Sequence, residues 1–148
     1  MRVTFPRLPD YQRSYSLVER DNGVVCRRPG EIAGPRLPRD IMQLVVEREL
    51  HITDGIWAHI AAGDSGPAPN RERAEELADL VKSVAALDAP ELAQVRRLAI
   101  ARGFALPAAD IAAAAQALQV EAARWAHLRA GEQLRYDWPF QARYRPAS

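Results

Sequence analysis

The sequence has one cysteine and no long, uninterrupted apolar run, and each scarcity excludes a class of structure. Cys26 has no second cysteine to pair with, so an internal disulfide is impossible and a reducing compartment is expected. The first fourteen residues lack the apolar core of a signal peptide. Residues 111–126 are mostly alanine, interrupted by charged and amide side chains, which argues against a membrane span. We therefore expect a cytoplasmic protein without a membrane partner.

Charge of either sign is not in excess. Twenty Lys and Arg oppose nineteen Asp and Glu, and the net charge of +1 does not by itself imply a nucleic-acid partner. The hydrophobic fraction of 48% and the charged fraction of 26% are those of a globular protein. A chain of 148 residues is long enough for one core, so we expect a single domain over residues 1–148.

The N-terminal part of the chain contains a β-hairpin signal. Two strand-like segments, 15–20 and 24–27, flank residues 21–23, whose Asn-Gly pair supplies the positive φ that a tight hairpin turn needs. A further short strand is predicted for residues 2–5. Residues 29–38 contain three prolines and two glycines, a composition that predicts a loop.

Residues 35–62 are the stretch in which large apolar, aromatic and ionisable residues recur at helical spacing. On a helical wheel, residues 39–50 form a broad apolar arc and a narrow polar wedge. The wedge consists of Arg39, Asp40, Gln43 and Glu47. Pro38 suits the start of this helix because its missing N–H would have no partner there. The wedge faces either water, which is the commoner arrangement, or a cleft.

The rest of the chain is predicted to be mainly helical. A second short helix is predicted from a cap at Thr53 or Asp54 through Ala62. Residues 63–70 are small and turn-forming, and we expect an exposed loop and a subdomain boundary there. Residues 71–130 contain three amphipathic segments and predict a three-helix segment.

Residues 131–148 predict a closing strand and a tail. Leu134, Tyr136 and Trp138 alternate with charged residues, as in a strand with one buried face. Because a strand needs a partner, we expect it to join the N-terminal hairpin. The predicted fold is α+β: a small antiparallel sheet, made of the N-terminal hairpin and the C-terminal strand, packed with about five helices. Residues 1–62 would carry the hairpin and the central helix.

Three stretches of the chain, LPRDIMQLVVEREL, DGIWAHIAAG and WAHLRAGEQLRYDWP, share a pattern with known sequences. They resemble a family of small uncharacterised proteins from actinobacteria and similar bacteria. The family pattern reads Leu-Pro-His-Asp-x-x-His-x-x-Val-Glu, then a Gly-x-Trp helix and a strand ending in Trp-Pro. The matching residues are Leu37, Pro38, Asp40, Val46, Glu47, Gly55, Trp57, Trp125, Leu128, Gly131, Leu134, Trp138 and Pro139. The resemblance implies a shared fold but no known activity.

Arg39 and Gln43 occupy the two histidine positions of that family pattern. The pattern implies two histidines and a glutamate along one side of a helix, an arrangement that can offer ligands to a divalent metal. Arginine cannot ligate a metal and glutamine is a poor ligand. We therefore expect neither a metal nor a cofactor at this helix.

The candidate binding residues are the polar wedge and its neighbours on the next helix. The set is Arg39, Asp40, Gln43, Glu47, His51, Trp57 and His59. An alternative interpretation is that Arg39 and Arg48 neutralise the wedge carboxylates as surface ion pairs. The sequence contains no Ser/His/Asp elbow motif and no GxGxxG or Walker pattern, so no catalytic residue is assigned.

The sequence favours a non-enzymatic interaction or regulatory protein. A protein partner or self-association would use aromatic residues near the terminus that the sequence predicts to be exposed: Tyr136, Trp138, Phe140 and Tyr144. The alternative is a small-molecule-binding or degenerate metal-site protein, or an enzyme, that uses the polar face of residues 39–50. A third hypothesis is a DNA-binding regulator, but acidic residues surround the arginines of the 71–130 segment and disfavour a nucleic-acid partner.

Overall fold

The computed structural model describes residues 1–64 and 66–140. These residues form four strands and five helices, and the predicted α+β fold is confirmed. Their order is β1 (Arg2–Pro6), β2 (Arg13–Glu19), β3 (Val25–Ile32), α1 (Arg39–Glu49), α2 (Ile56–Ala61), α3 (Arg71–Ala85), α4 (Leu92–Ala101), α5 (Ala108–His127) and β4 (Gln133–Asp137). The strands form one antiparallel sheet in the order β3-β2-β1-β4.

The β2–β3 hairpin turns at the predicted Asn-Gly pair. Gly23 has φ +85°, a left-handed conformation that glycine adopts without a steric cost. β3 continues through residues 29–32, so the predicted loop begins later than the sequence indicated. An edge strand accommodates Pro29 because only one of its two sides belongs to a ladder. The ladder is also irregular opposite this segment, between Arg13 and Tyr15.

The closing strand β4 pairs with β1, as the alternation of its residues predicted. Tyr136 lies opposite Val3, and the pairing is antiparallel. Leu134, Tyr136 and Trp138 are all buried, while the charged residues between them are exposed. The chain therefore returns to the strand with which it began.

The prediction that the terminal aromatic residues are exposed is wrong for Tyr136 and Trp138, which are core residues. The ring of Tyr136 packs edge-on against Phe5, with centroids 5.8 Å apart. Phe140 is half-buried and packs against the same core. Tyr144 lies outside the described residues. The strand pattern was identified correctly, but its apolar face is covered by the helices.

A buried polar contact joins α5 to β4. The Tyr136 hydroxyl donates to Glu121 Oε2 at 2.5 Å, and Arg124 pairs with the same carboxylate at 2.8 Å. Burial, together with the neighbouring carboxylate, raises the pKa of Tyr136 well above its ordinary value. The hydroxyl therefore remains a hydrogen-bond donor at any physiological pH.

α1 is the most enclosed helix and the centre of the helical layer. It packs against α2, α3 and α5, and every residue from Ile41 to Glu47 is buried. Val3 and Phe5 of the sheet belong to the same core. The buried part of α1 includes two polar residues, Gln43 and Glu47, which need partners inside the protein.

Residues 71–130 contain the three predicted helices. Gly103 follows α4 with φ +77°, as expected for a residue that ends a helix. Buried alanines of α5, including Ala114 and Ala115, leave room for its neighbours α1 and α3. None of the helices in the described part of the chain is both long and apolar enough to cross a bilayer.

Candidate functional site

The polar wedge of α1 has two parts with different surroundings. Arg39, Asp40 and Gln43 line a cleft of about 570 Å³ at the start of the helix. Glu47, one turn further on, has no exposed surface and lies in the interior. The sequence left open whether the wedge faces water or a cleft. It meets a cleft at one end and a buried polar site at the other.

Glu47 caps α2 from the neighbouring helix. Its Oε1 accepts the backbone N–H of Trp57 at 3.0 Å, and its Oε2 accepts that of Ile56 at 3.1 Å. N–H groups in the first turn of a helix have no partner within that helix. The predicted cap at residues 53–54 is therefore wrong. Gly55 holds the N-cap position, and the capping carboxylate comes from α1.

Gln43 provides the third hydrogen bond to this carboxylate. Its Nε2 donates to Glu47 Oε2 at 2.8 Å and to the backbone carbonyl of Ala74 at 2.9 Å. Gln43 and Glu47 are four residues apart and thus neighbours on one helix face. A single amide group therefore connects α1 to α3, while the carboxylate connects α1 to α2.

The prediction that arginines neutralise the wedge carboxylates is wrong for the described residues. Arg39 lies 3.7 Å from a carboxylate oxygen of Asp79, on α3. The Nη2 atom of Arg48 lies 3.8 Å from the Oε1 atom of Glu49, and the guanidinium carbon of Arg48 is 5.5 Å from the ring centroid of Tyr136. The reason is the depth of the wedge: its inner end is buried among helices, where no cation of the described chain forms an ion pair with it.

Gly55 allows the carboxylate of Glu47 to reach the start of α2. A Cβ atom at residue 55 would overlap both the Oε1 and the carboxyl carbon of Glu47. The φ of Gly55 is −91°, which any residue can adopt. Glycine is therefore required here for space rather than for backbone conformation.

Burial raises the pKa of Glu47 above its ordinary value of 4.5, and the hydrogen bonds from Gln43, Trp57 and Ile56 partly oppose this. The folded protein therefore holds this proton more tightly than the unfolded chain does. The resulting stabilisation is fully present below pH 4.5. It is lost as the pH rises through the raised folded value.

The pH dependence of the free energy of unfolding tests whether the pKa of Glu47 is higher in the folded protein than in the unfolded chain. The free energy of unfolding of the wild type, relative to that of Glu47→Gln, is expected to fall as the pH rises above 4.5. The expected fall is about 1.4 kcal/mol per unit of pKa difference between the two states. Urea unfolding followed by circular dichroism at several pH values measures it, with the exposed Glu72→Gln as the control. A difference that stays constant across this range would contradict the raised pKa.

Trp57, one of the predicted binding residues, belongs to the hydrophobic core. Its indole Nε1 donates to the carbonyl of Asp40 at 3.1 Å, and its ring meets Phe5 edge-on at 6.0 Å. His51 follows α1 with φ +54°, is exposed, and lies 5.1 Å from the ring centroid of Phe140. Neither residue lines the cleft. The cleft thus contains four of the seven predicted binding residues, namely Arg39, Asp40, Gln43 and His59.

Among the described residues, three guanidinium groups and three carboxylates line the wall of the cleft. They belong to Arg28, Glu31, Arg39, Asp40, Arg71 and Glu75. Arg71 and Glu75 form an ion pair, with 2.9 Å between Arg71 Nε and Glu75 Oε1. Glu31 accepts the first backbone N–H of α1, that of Arg39, at 2.8 Å. Arg28, Glu31, Arg71 and Glu75 were not predicted from the sequence, because they come from β3 and α3 and no local pattern connects them with α1.

Arg28 and Asp40 form no ion pair within the described part of the chain. The Nε atom of Arg28 is buried and has no hydrogen-bond partner there. Burial raises the pKa of Asp40, and the Arg28 guanidinium is the strongest influence in the opposite direction. The cleft therefore contains one cation and one carboxylate that interact with each other without direct contact.

His59 contributes a third polar group from α2. Its Nδ1 lies 3.5 Å from Asp64 Oδ2, on the loop that follows the helix. Its Nε2 is buried and has no partner among the described residues. Ile56 and Ile60, from the same helix, add an apolar surface to the cleft. The cleft thus combines charged, polar and apolar surfaces, as small-ligand sites do.

The fold and the cleft define an α+β protein with a charged cleft beside its central helix. No family model, curated protein or solved structure matches the chain. Membership of the actinobacterial family therefore stays a prediction. Within residues 1–64 and 66–140, no three His, Cys, Asp or Glu side chains are grouped so that they could hold a metal ion.

Proposed function

We propose that this protein binds a small polar molecule in the cleft at the start of α1. The observation that supports the proposal is a cleft of about 570 Å³ whose wall contains two charged groups, Arg28 and Asp40, that form no ion pair within residues 1–64 and 66–140. Ligand sites typically measure about 300–1,000 Å³ and use a few convergent polar groups. The single cysteine still favours a cytoplasmic location for this activity.

The small-molecule hypothesis now has more support than the protein-partner hypothesis. Tyr136 and Trp138, which suggested a partner surface, are buried and unavailable to a partner. The exposed large apolar side chains of the described residues are spread over several elements: Val25 and Ile32 lie at the two ends of β3, Leu92 and Ile100 on α4, and Val120 on α5. Isolated exposed apolar residues are ordinary and do not by themselves mark an interface.

A thermal-shift screen tests the proposal. We expect at least one compound, in a metabolite panel covering neutral, anionic, cationic and zwitterionic molecules, to raise the melting temperature of the wild type. Arg28→Gln and Asp40→Asn are expected to reduce the affinity for it by at least about tenfold, because each removes a charged contact. Calorimetric titration measures the affinity.

Matched substitutions outside the cleft serve as controls. Arg97→Gln and Asp88→Asn change the same residue types at exposed positions and should leave the affinity unchanged. The proposal would be wrong if no compound bound the wild type. It would also be wrong if every bound compound had the same affinity for the cleft variants as for the controls.

A further inference from the structure

The described residues that line the cleft carry charge of both signs in equal number. They include three arginines and three carboxylates, and the ligand must be compatible with both. A site for a simple anion would have an excess of cationic groups, and a site for a simple cation would have an excess of carboxylates. The balance favours a ligand that itself carries both charges.

Four of these six charged groups already contact other groups of the protein, which leaves two for a ligand. The pairs and caps described above engage Glu31, Arg39, Arg71 and Glu75. Arg28 and Asp40 remain, one on β3 and the other in the first turn of α1. They are close enough for the guanidinium to act on the carboxyl but do not form a direct ion pair. A ligand with two opposite charges can insert between them.

We infer that the ligand is a small zwitterion with an ammonium group and a carboxylate, such as a free amino acid or a dipeptide. The ligand carboxylate binds the Arg28 guanidinium, whose planar fork of N–H donors matches a carboxylate. The ligand ammonium binds the half-buried carboxylate of Asp40, which forms no direct ion pair with any group of the described residues.

The remaining surface of the cleft determines which zwitterions fit. Ile56, Ile60 and Pro67 line it and offer apolar contacts. His59 lines the cleft beside the two isoleucines, on the same short helix. An amino acid with an apolar side chain, or a dipeptide of such residues, therefore places its charged ends on Arg28 and Asp40 and its body on α2.

This inference rests on the proposed function, and charge-blocked ligands test it separately. The probes are free leucine, phenylalanine and the dipeptide Leu-Leu, each compared with its N-acetylated form and its C-terminal amide. Calorimetric titration is expected to show binding of at least one free zwitterion. Both of its blocked forms should bind at least about tenfold more weakly, because hydrogen bonds to charged groups are the strong ones.

The variants Arg28→Gln and Asp40→Asn show which charged group of the ligand each residue binds. Arg28→Gln should abolish the preference for the free acid over the amide and keep the preference for the free amine. Asp40→Asn should abolish the preference for the free amine over the N-acetylated form and keep the preference for the free acid. Equal binding of free and blocked forms would overturn the zwitterion inference, as would the absence of binding by all three free probes. The proposed function would still stand if another compound from the panel bound the cleft, and it would fail if none did.

Discussion

Replacing Glu47 by alanine is expected to lower the free energy of unfolding by about 3–5 kcal/mol. The substitution removes the acceptor for the N–H groups of Ile56 and Trp57 and for the amide of Gln43. Each buried donor left without a partner costs about 1–3 kcal/mol. The start of α2 loses its cap at the same time, since among the described residues Glu47 supplies the side-chain acceptors for the N–H groups of Ile56 and Trp57.

Urea unfolding measured by circular dichroism and tryptophan fluorescence checks this value. The control is Glu72→Ala, an exposed glutamate on α3, which should change stability by less than about 0.5 kcal/mol. If Glu47→Ala does not fold, Glu47→Gln gives the measurement, with a smaller loss because its amide oxygen still accepts hydrogen bonds. A loss below about 1 kcal/mol for the alanine variant would contradict the role of this carboxylate.

Replacing Gly55 by alanine is expected to lower the free energy of unfolding by about 2–3 kcal/mol. The added methyl group would overlap the Glu47 carboxylate, which is itself held by three hydrogen bonds and cannot move without breaking them. Gly34→Ala is the matched control, because a Cβ there meets no atom within 4 Å and the φ of Gly34 is not positive. At such a site the substitution is neutral or slightly stabilising.

The double variant of Gly55 and Glu47 shows whether the two residues act through one contact. With both residues replaced by alanine, the carboxylate is absent and the added methyl group meets no overlap. The loss should then be smaller than the sum of the single losses by about 1–3 kcal/mol. Strictly additive losses would show that the cost of Gly55→Ala comes from another source.

The elements of this fold that could be predicted are those determined by neighbouring residues. The hairpin followed from the Asn-Gly pair at residues 22–23, and the closing strand from the alternation of residues 134–138. The start of α1 followed from Pro38, and the helix begins at the next residue, as predicted. In each case the signal lies within a few residues of the structure that it determines.

The features that could not be predicted depend on contacts between distant segments. The continuation of β3 past Pro29 depends on its position at the sheet edge. The cap of α2 lies in another helix, and a search for Ser, Thr, Asp or Asn beside the helix start cannot find it. Helical periodicity showed that Glu47 shares a face with Arg39, but not that one is buried and the other exposed.

The candidate site likewise contains residues that could be predicted from the sequence and residues that could not. The sequence identified Arg39, Asp40, Gln43 and His59 because they lie on or near one polar helix face. Arg28 lies in a segment adjacent to the predicted loop and carries no motif. Its role in the cleft depends on β3 lying beside α1, which only the assembled sheet and helices establish.

The cap on α2 connects the wall of the proposed binding cleft with the interior of the protein. α2 has six residues, too few to be stable as an isolated helix, and it supplies Ile56, His59 and Ile60 to the cleft. The shape of this wall therefore depends on a carboxylate that does not itself line the cleft. Under the proposed function, substitutions around Glu47 that leave the protein folded are expected to loosen the wall and weaken binding. Occupancy of the cleft and order in α2 would then reinforce each other.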